Sequence, residues 1–356
     1  MTIRVGIYGA TGYAGLELLR LLYGHPHVEI SLLGSNSNAG MDLFDYYPHL
    51  RQLPGRSLPQ TLSPIDTHQA ARETDLIFTA LPSGVSSKLI PELMEAGCRV
   101  IDLSGDLRIP SDLYRKWYGH EPVHETIYKQ FTYGLSELFR AEIAEATHIS
   151  NPGCYATAVE LALAPLLRSG MIRSERLIVD AKSGVTGAGR NARVSNLFAE
   201  IQENFSTYKV GRHQHTPEIE YHLQRLASAD QEVRLLFTPQ LVPMNRGILC
   251  TIYADVHPDW KGKVSTETLL DSMRSFYRDA KFVRIRPQGE MPSTRQVWGT
   301  NFCDLGAHYE DRTERILLVS VIDNLVKGAA GQAVQNFNIM HGFPEETGLI
   351  QTPANP

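Results

Sequence analysis

Cys154 lies in Ser150-Asn151-Pro152-Gly153-Cys154-Tyr155-Ala156-Thr157-Ala158, and its setting suits a nucleophile better than a packing residue. Ile149 ends a short apolar strand, Asn151-Pro152-Gly153 makes a turn, and Cys154 opens a helix running through Ala156 to Leu167. A thiol at a helix N-terminus feels the positive end of the macrodipole, which lowers its pKa and raises its thiolate fraction. Gly153 and Ala156 leave the sulfur approachable. Cys98, Cys250 and Cys303 lack this setting and read as structural. A nucleophilic cysteine needs a base. The candidates are His213 and His215, in Gly211-Arg212-His213-Gln214-His215-Thr216-Pro217-Glu218. Thr216 is expected as an N-cap, Pro217 as the first helical residue and Glu218 as a first-turn acid. Both histidines then belong to the loop before a helix. His25-Pro26-His27 has the same spacing and reads as a surface turn. No third ligand is suggested near the 213–215 pair, so no metal is expected.

The N-terminus carries a different chemistry. Ile3 to Tyr8 is a β-branched apolar run that reads as a buried parallel strand. It leads into Gly9-Ala10-Thr11-Gly12-Tyr13-Ala14-Gly15, then into the helix formers from Leu16 to Leu22, then into a second strand from Val28 to Leu33. Strand, glycine turn, helix and strand form the context of a dinucleotide fingerprint, here spaced GxxGxxG. Glycines let the backbone approach a pyrophosphate, and the helix start offers it N–H groups. The second strand ends in Gly34-Ser35-Asn36-Ser37-Asn38-Ala39-Gly40. No carboxylate stands there for ribose hydroxyls, so hydroxyl and amide donors such as Ser35 and Ser37 favour the 2′-phosphate of NADP.

Further α/β units place more candidates at strand ends. Asp75 to Leu81 reads as a strand ending at Pro82-Ser83-Gly84, Ser86 to Glu95 as a helix, and Arg99 to Ser104 as a strand ending at Gly105-Asp106-Leu107-Arg108. Strand C-termini in open α/β sheets face the ligand crevice, so Ser83, Ser104 and Arg108 are site candidates. A guanidinium there suits a phosphate. The strand Arg176 to Val179 is expected to give way to an anion-friendly loop, Asp180 to Arg190, containing Lys182, Ser183 and Gly184. Runs at 234–238, 247–255, 281–286 and 316–323 read as a mostly antiparallel sheet, with one face available to a second subunit. Asn324 to Asn336 has small residues at helical spacing and is expected to return to the first domain.

Composition is consistent with a two-domain enzyme. The chain has 356 residues, 42% of them hydrophobic, enough for two buried cores. The net charge of −5 has no basic block, which argues against nucleic acid as the main partner. The four cysteines show no metal-like spacing and read as reduced thiols of a cytoplasmic protein. No run approaches the roughly 20 apolar residues of a membrane span.

With these residues in hand, the chain resembles the N-acetyl-γ-glutamyl-phosphate reductase family, a relative of aspartate-semialdehyde dehydrogenase and, more distantly, of glyceraldehyde-3-phosphate dehydrogenase. GATGYAG (9–15), SNPGCYATA (150–158), KSGVTGAGR (182–190), GRHQHTPEIE (211–220), VPMNRGI (242–248) and NLVKGAAGQAVQN (324–336) occur in the family's order. At 35–40 SNSNAG stands where relatives often carry an arginine.

The resemblance implies a Rossmann-type parallel sheet (1–150 and 325–356) with an α+β catalytic and dimerisation domain (151–324) built on a largely antiparallel sheet. It implies NADPH-dependent reduction of an acyl phosphate to an aldehyde, with inorganic phosphate released from a Cys154 thioester, by a homodimer or homotetramer. His215 leads His213 as the acid/base, because it sits nearer the helix start at Pro217. By the same resemblance Arg108 holds the phosphoryl group, with Asn151, Arg246 and Glu218 at the substrate. Gly9, Thr11, Gly12, Tyr13, Ala14, Gly15, Ser35, Ser37, Ser83, Ser183, Gly184 and Asn324 line the cofactor. The rival substrate is an aminoadipyl phosphate, one methylene longer. A non-catalytic NADP sensor requires Cys154 and the histidines to be incidental, and the nucleotide fingerprint argues against a Cys–His hydrolase.

Overall fold

The structure, a computed structural model, describes residues 2–55, 57–228 and 231–354. Its contacts divide the chain into two compact units, Met1–Pro152 with Ala329–Ile350, and Gly153–Gly328 with Gln351–Pro356.

The first unit is built on six strands: β1 Ile3–Tyr8, β2 Val28–Gly34, β3 Leu76–Thr79, β4 Val100–Asp102, β5 Phe131–Tyr133 and β6 His148–Ser150. All pair in parallel, in the order β2-β1-β3-β4-β6-β5. The order reverses at β1, and ligands of open α/β sheets bind outside the strand C-termini at such a point. The glycine turn lies there. Gly9 has φ +87°, a left-handed conformation costly for a residue with a Cβ. A Cβ on Gly15 would strike the Gly9 carbonyl, so this glycine lets the helix Tyr13–Tyr23 pack against the turn.

Val5, Ile7, Leu18, Leu22, Ile77, Phe78 and Ile101 are fully buried in this unit. Each such side chain contributes about 2 kcal/mol of transfer free energy. The helix Gly331–Met340 is buried along its whole length and packs in this unit against Ser136–Ala144 and Tyr13–Tyr23. A π-helical turn, Val326–Ala330, precedes it, so the regular helix starts later than the small residues suggest. His25 is not on a surface turn. It is fully buried, with Nε2 2.8 Å from Asn338 Oδ1, and Gly348 packs on its ring.

The second unit holds β7 Leu177–Ser183, β8 Ser206–Thr207, β9 Leu235–Leu241, β10 Ile248–Asp255, β11 Val283–Ile285, β12 Cys303–Glu310 and β13 Arg315–Ile322. They form a mixed sheet in the order β11-β12-β13-β10-β7-β9-β8, antiparallel except at β7–β9 and β11–β12. The helix Cys154–Arg168 packs against β10, β12 and β13. On β10 the buried residues Ile248, Cys250, Ile252 and Ala254 alternate with half-exposed or exposed ones. Two readings change here. Asp180 to Ser183 is strand rather than loop, because these residues pair with β10 on one side and β9 on the other. Cys303–Glu310 is a strand that the sequence pattern does not show. Among the described residues no helix is long and apolar enough to cross a membrane.

Candidate active site

In the second unit the backbone brings two helix starts together. Gly153 caps the Cys154 helix with extended backbone and no side-chain cap of its own, so the thiol stands at the first position of the helix. The other helix runs from His215 to Gln224, so His215 is its first residue rather than a loop residue before Thr216. It starts there because the backbone is already bent. Thr216 N–H donates to the His213 carbonyl at 3.0 Å, and His215 N–H donates to His213 Nδ1 at 3.1 Å. The imidazole of His213 therefore acts as the cap expected of Thr216.

Glu218 joins the two starts. It is fully buried, and its Oε1 accepts the Gly153 N–H at 2.7 Å. A charge-assisted bond of this kind, out of water, holds the turn before the thiol firmly. Glu218 was expected at the substrate; here it fixes the start of the Cys154 helix. Gly328 closes the other side. A Cβ there would lie 2.7 Å from Cys154 Cβ, so only glycine leaves the thiol's backbone in place.

The histidines are held in an aromatic setting. His213 packs edge-on against His215 (ring centroids 4.7 Å apart), Phe237 (5.2 Å), Tyr208 (5.5 Å) and Tyr155 (5.6 Å). Burial, reinforced by the neighbouring His215 and Lys209, pushes the His213 pKa down to about 2. The ring is neutral. With Nδ1 accepting a hydrogen bond, its proton sits on Nε2. Tyr155 OH donates to the Gln240 carbonyl at 3.1 Å and Tyr208 OH to Tyr155 OH at 3.4 Å; burial pushes both phenols upward, so both stay protonated. Tyr208 and Phe237 carried no sequence signal, because only the fold brings them to His213. Burial likewise pushes the thiols of Cys98 and Cys250 up, opposite to what a nucleophile needs. None of the four cysteines is in a disulfide, and only Cys154 among them is partly exposed.

Around these groups lies a polar cluster. Arg246 Nη1 is 3.4 Å from the buried Asp323 Oδ2, and its side chain keeps a quarter of its surface exposed. Asn324 accepts Gly247 N–H at 2.8 Å and donates to Thr186 Oγ1 at 3.0 Å. Ser183 Oγ donates to the Gly184 carbonyl at 3.0 Å, and Gly184 itself packs on the Asn245–Arg246 peptide. Ser183, Gly184 and Asn324, expected at the cofactor, thus brace one another and the Arg246 loop.

In the first unit, Arg108 is buried. Its Nε donates to the Asn151 carbonyl and its Nη2 to the Leu103 carbonyl, both at 2.8 Å. Asn151 is committed at both ends of its amide, donating to the Ala329 carbonyl at 3.0 Å and accepting from Asn336 Nδ2 at 3.1 Å. These bonds tie it to the Val326–Ala330 turn and to the helix Gly331–Met340.

At the β1 and β2 ends, Thr11 Oγ1 is 3.2 Å from Ser35 Oγ, which is 3.4 Å from Ser37 Oγ; Ser37 donates to Asn38 Oδ1 at 2.9 Å. The helix Tyr13–Tyr23 begins at Gly12 with no side-chain cap and no acid in its first turn. A cradle of glycines, open N–H groups and clustered hydroxyls fits a dinucleotide.

The chain matches known proteins over both units. Residues 4–146 match the semialdehyde dehydrogenase NAD binding domain, and residues 154–324 the semialdehyde dehydrogenase dimerisation domain. The chain is 49% identical over 355 residues to an N-acetyl-γ-glutamyl-phosphate reductase of Brevibacillus brevis, covering 99% of this chain and 100% of the relative. It is 48% identical over 356 residues to that of Bacillus subtilis, at the same coverage. Its fold matches aspartate semialdehyde dehydrogenase II of Vibrio cholerae, complexed with ASA, with a TM-score of 0.72 and 19% identity over 96% of this chain and 99% of that one. The aspartate semialdehyde dehydrogenase of Candida albicans, solved with NADP, gives a TM-score of 0.71 and 17% identity at the same coverage. On its sequence matches over both units, the chain belongs to the N-acetyl-γ-glutamyl-phosphate reductase family of semialdehyde dehydrogenases, which are oxidoreductases.

Proposed function

We propose that this enzyme reduces N-acetyl-γ-glutamyl phosphate to N-acetylglutamate semialdehyde with NADPH, releasing phosphate, as a step of arginine biosynthesis. One observation carries the mechanism. The Glu218–Gly153 bond locks the helix that begins at His215 to the start of the helix that begins at Cys154. A thiol at a helix start and an imidazole on the adjoining one are the parts a thioester route needs. The Cys154 thiolate forms a bond to the acyl carbon, the C–O bond to phosphate breaks, and phosphate departs with a proton taken from solvent. Arg108 and Arg246 carry the positive charge that receives the phosphoryl and carboxylate groups. Bound at the glycine turn, NADPH supplies the hydride that reduces the thioester. His215 protonates the oxyanion so formed, then takes the proton back as the C–S bond breaks and the aldehyde leaves.

The preference for NADP is supported by the Thr11–Ser35–Ser37 hydroxyls and by the lack of any carboxylate from Gly34 to Gly40. In the assay direction, wild type should form NADPH from NADP and N-acetylglutamate semialdehyde only when inorganic phosphate is present. Turnover with the aminoadipate analogue alone would move the enzyme to lysine biosynthesis, and silence with both would sink the reading.

The partner is a second copy of the chain. Ile178, Leu236 and Tyr253 are 36%, 58% and 38% exposed and lie side by side across β9, β7 and β10. An apolar patch on a sheet face marks an association surface. Leu236→Asp should convert a sedimenting dimer or tetramer to a smaller species; an unchanged sedimentation coefficient would place the interface elsewhere.

A further inference from the structure

Asp106 received no role above, yet its carboxylate is the most heavily used group at the β3 and β4 ends. It is 1% exposed. Oδ2 accepts N–H groups from Gly84 and Ser87, each at 2.8 Å, and Oδ1 accepts the Tyr114 hydroxyl at 2.8 Å. Its own N–H donates to Ser104 Oγ at 3.1 Å. That hydroxyl donates to Asp102 Oδ2 at 2.6 Å, and Asp102 Oδ1 takes the Thr79 hydroxyl at 2.6 Å. Ser83 Oγ accepts the Gly105 N–H at 3.2 Å. The Pro82–Ser83–Gly84 turn is thus bound to the 104–106 turn at several points, and Asp106 supplies most of them.

The carboxylate also decides which helix start is open. Two helices, Tyr13–Tyr23 and Ser86–Glu95, follow strands that are neighbours in this sheet. Neither has a side-chain cap of its own or an acid in its first turn. Asp106 supplies the second helix with a negative charge on the Ser87 N–H of its first turn, offsetting that end of its macrodipole. The first helix has no such partner from its cap residue. An incoming pyrophosphate therefore meets one attractive helix start and one already neutralised.

We propose that Asp106 is a positioning residue for the dinucleotide: it fixes the Ser83–Gly84 turn and closes the Ser86 helix start, so that the pyrophosphate is held at the Gly12–Tyr13 helix start alone. The inference rests on the reading of the first unit as an NADPH site. Asp106 touches no reacting atom, so its loss acts on binding and leaves chemistry at saturation intact.

The test is NADPH fluorescence titration with full-length wild type, Asp106→Ala, Asp106→Asn and Tyr114→Phe, paired with steady-state kinetics and thermal melts. Asp106→Ala should weaken NADPH binding about tenfold or more, the scale of lost charge-assisted bonds, with kcat at saturating NADPH within about threefold. Asparagine keeps an acceptor oxygen and should recover part of the affinity. Tyr114→Phe should weaken binding about threefold by freeing the carboxylate on one side. If the alanine variant does not fold, the asparagine and phenylalanine variants carry the test. Lower melting temperatures with unchanged NADPH affinity would make Asp106 a purely structural residue and overturn the inference. A wild type that binds neither NADPH nor NADH would overturn the dinucleotide reading and this inference together, and that outcome is visible before any variant is made.

Discussion

Cys154→Ser should lower phosphate-dependent NADPH formation by at least about a thousandfold while NADPH affinity stays within about twofold. The substitution is nearly isosteric, so packing against Gly328 survives. What changes is the nucleophile. A helix start can hold a useful fraction of a thiol as thiolate at neutral pH, but the same field leaves a serine hydroxyl protonated. A hydroxyl attached to the acyl group would also form an ester, a poorer hydride acceptor and a poorer leaving group than a thioester. The measurement is the NADPH absorbance assay beside a fluorescence titration of NADPH. More than a tenth of wild-type turnover in the serine variant would exclude Cys154 as nucleophile. Loss of NADPH binding together with a lower melting temperature would make the residue structural.

His215→Asn should lower kcat by about a hundredfold to a thousandfold, the usual worth of a positioned acid/base. His213→Asn serves as the contrast. Burial holds the His213 ring neutral down to about pH 2, so it does not titrate in the assay range. Its Nδ1 is already taken by the His215 N–H. Removing it should cost activity through the placement of His215, about tenfold, and leave the shape of the pH profile unchanged. If His213→Asn costs more in kcat than His215→Asn, the assignment is reversed.

The parts of the molecule that were legible in the sequence are those whose signal is local. The helix Ser86–Glu95 has the bounds its pattern suggests, and β1 with its glycine turn reads correctly because strand period, turn glycines and helix formers follow one another in sequence. β12 was invisible for a physical reason. Asp304 looks like a loop residue, yet it is fully buried because Arg284 and Arg286 reach it at 2.6 Å from β11 and the residue after it. The end of β7 was missed similarly: Asp180 and Lys182 pair with each other at 2.5 Å on a strand flanked on both sides. The Cys154 and His213–His215 motifs marked the candidate site. The link between them did not show, because Glu218 and Gly153 are 65 residues apart. His25 was misjudged because its partner, Asn338, is 313 residues away.

That last separation has a consequence for how the chain is made. The first unit is discontinuous: it needs residues 329–350, and the helix Gly331–Met340 lies buried within it. Until those residues leave the ribosome, the places of Val334 and Phe337 in the core are empty, the Gly134 carbonyl lacks the Asn336 amide that it accepts at 2.7 Å, and His25 lacks Asn338. The second unit is contiguous from Gly153 to Gly328 apart from a short tail. So the half synthesised later is the first able to close its core. The nascent N-terminal sheet must wait, with apolar surface uncovered, for the last residues of the chain.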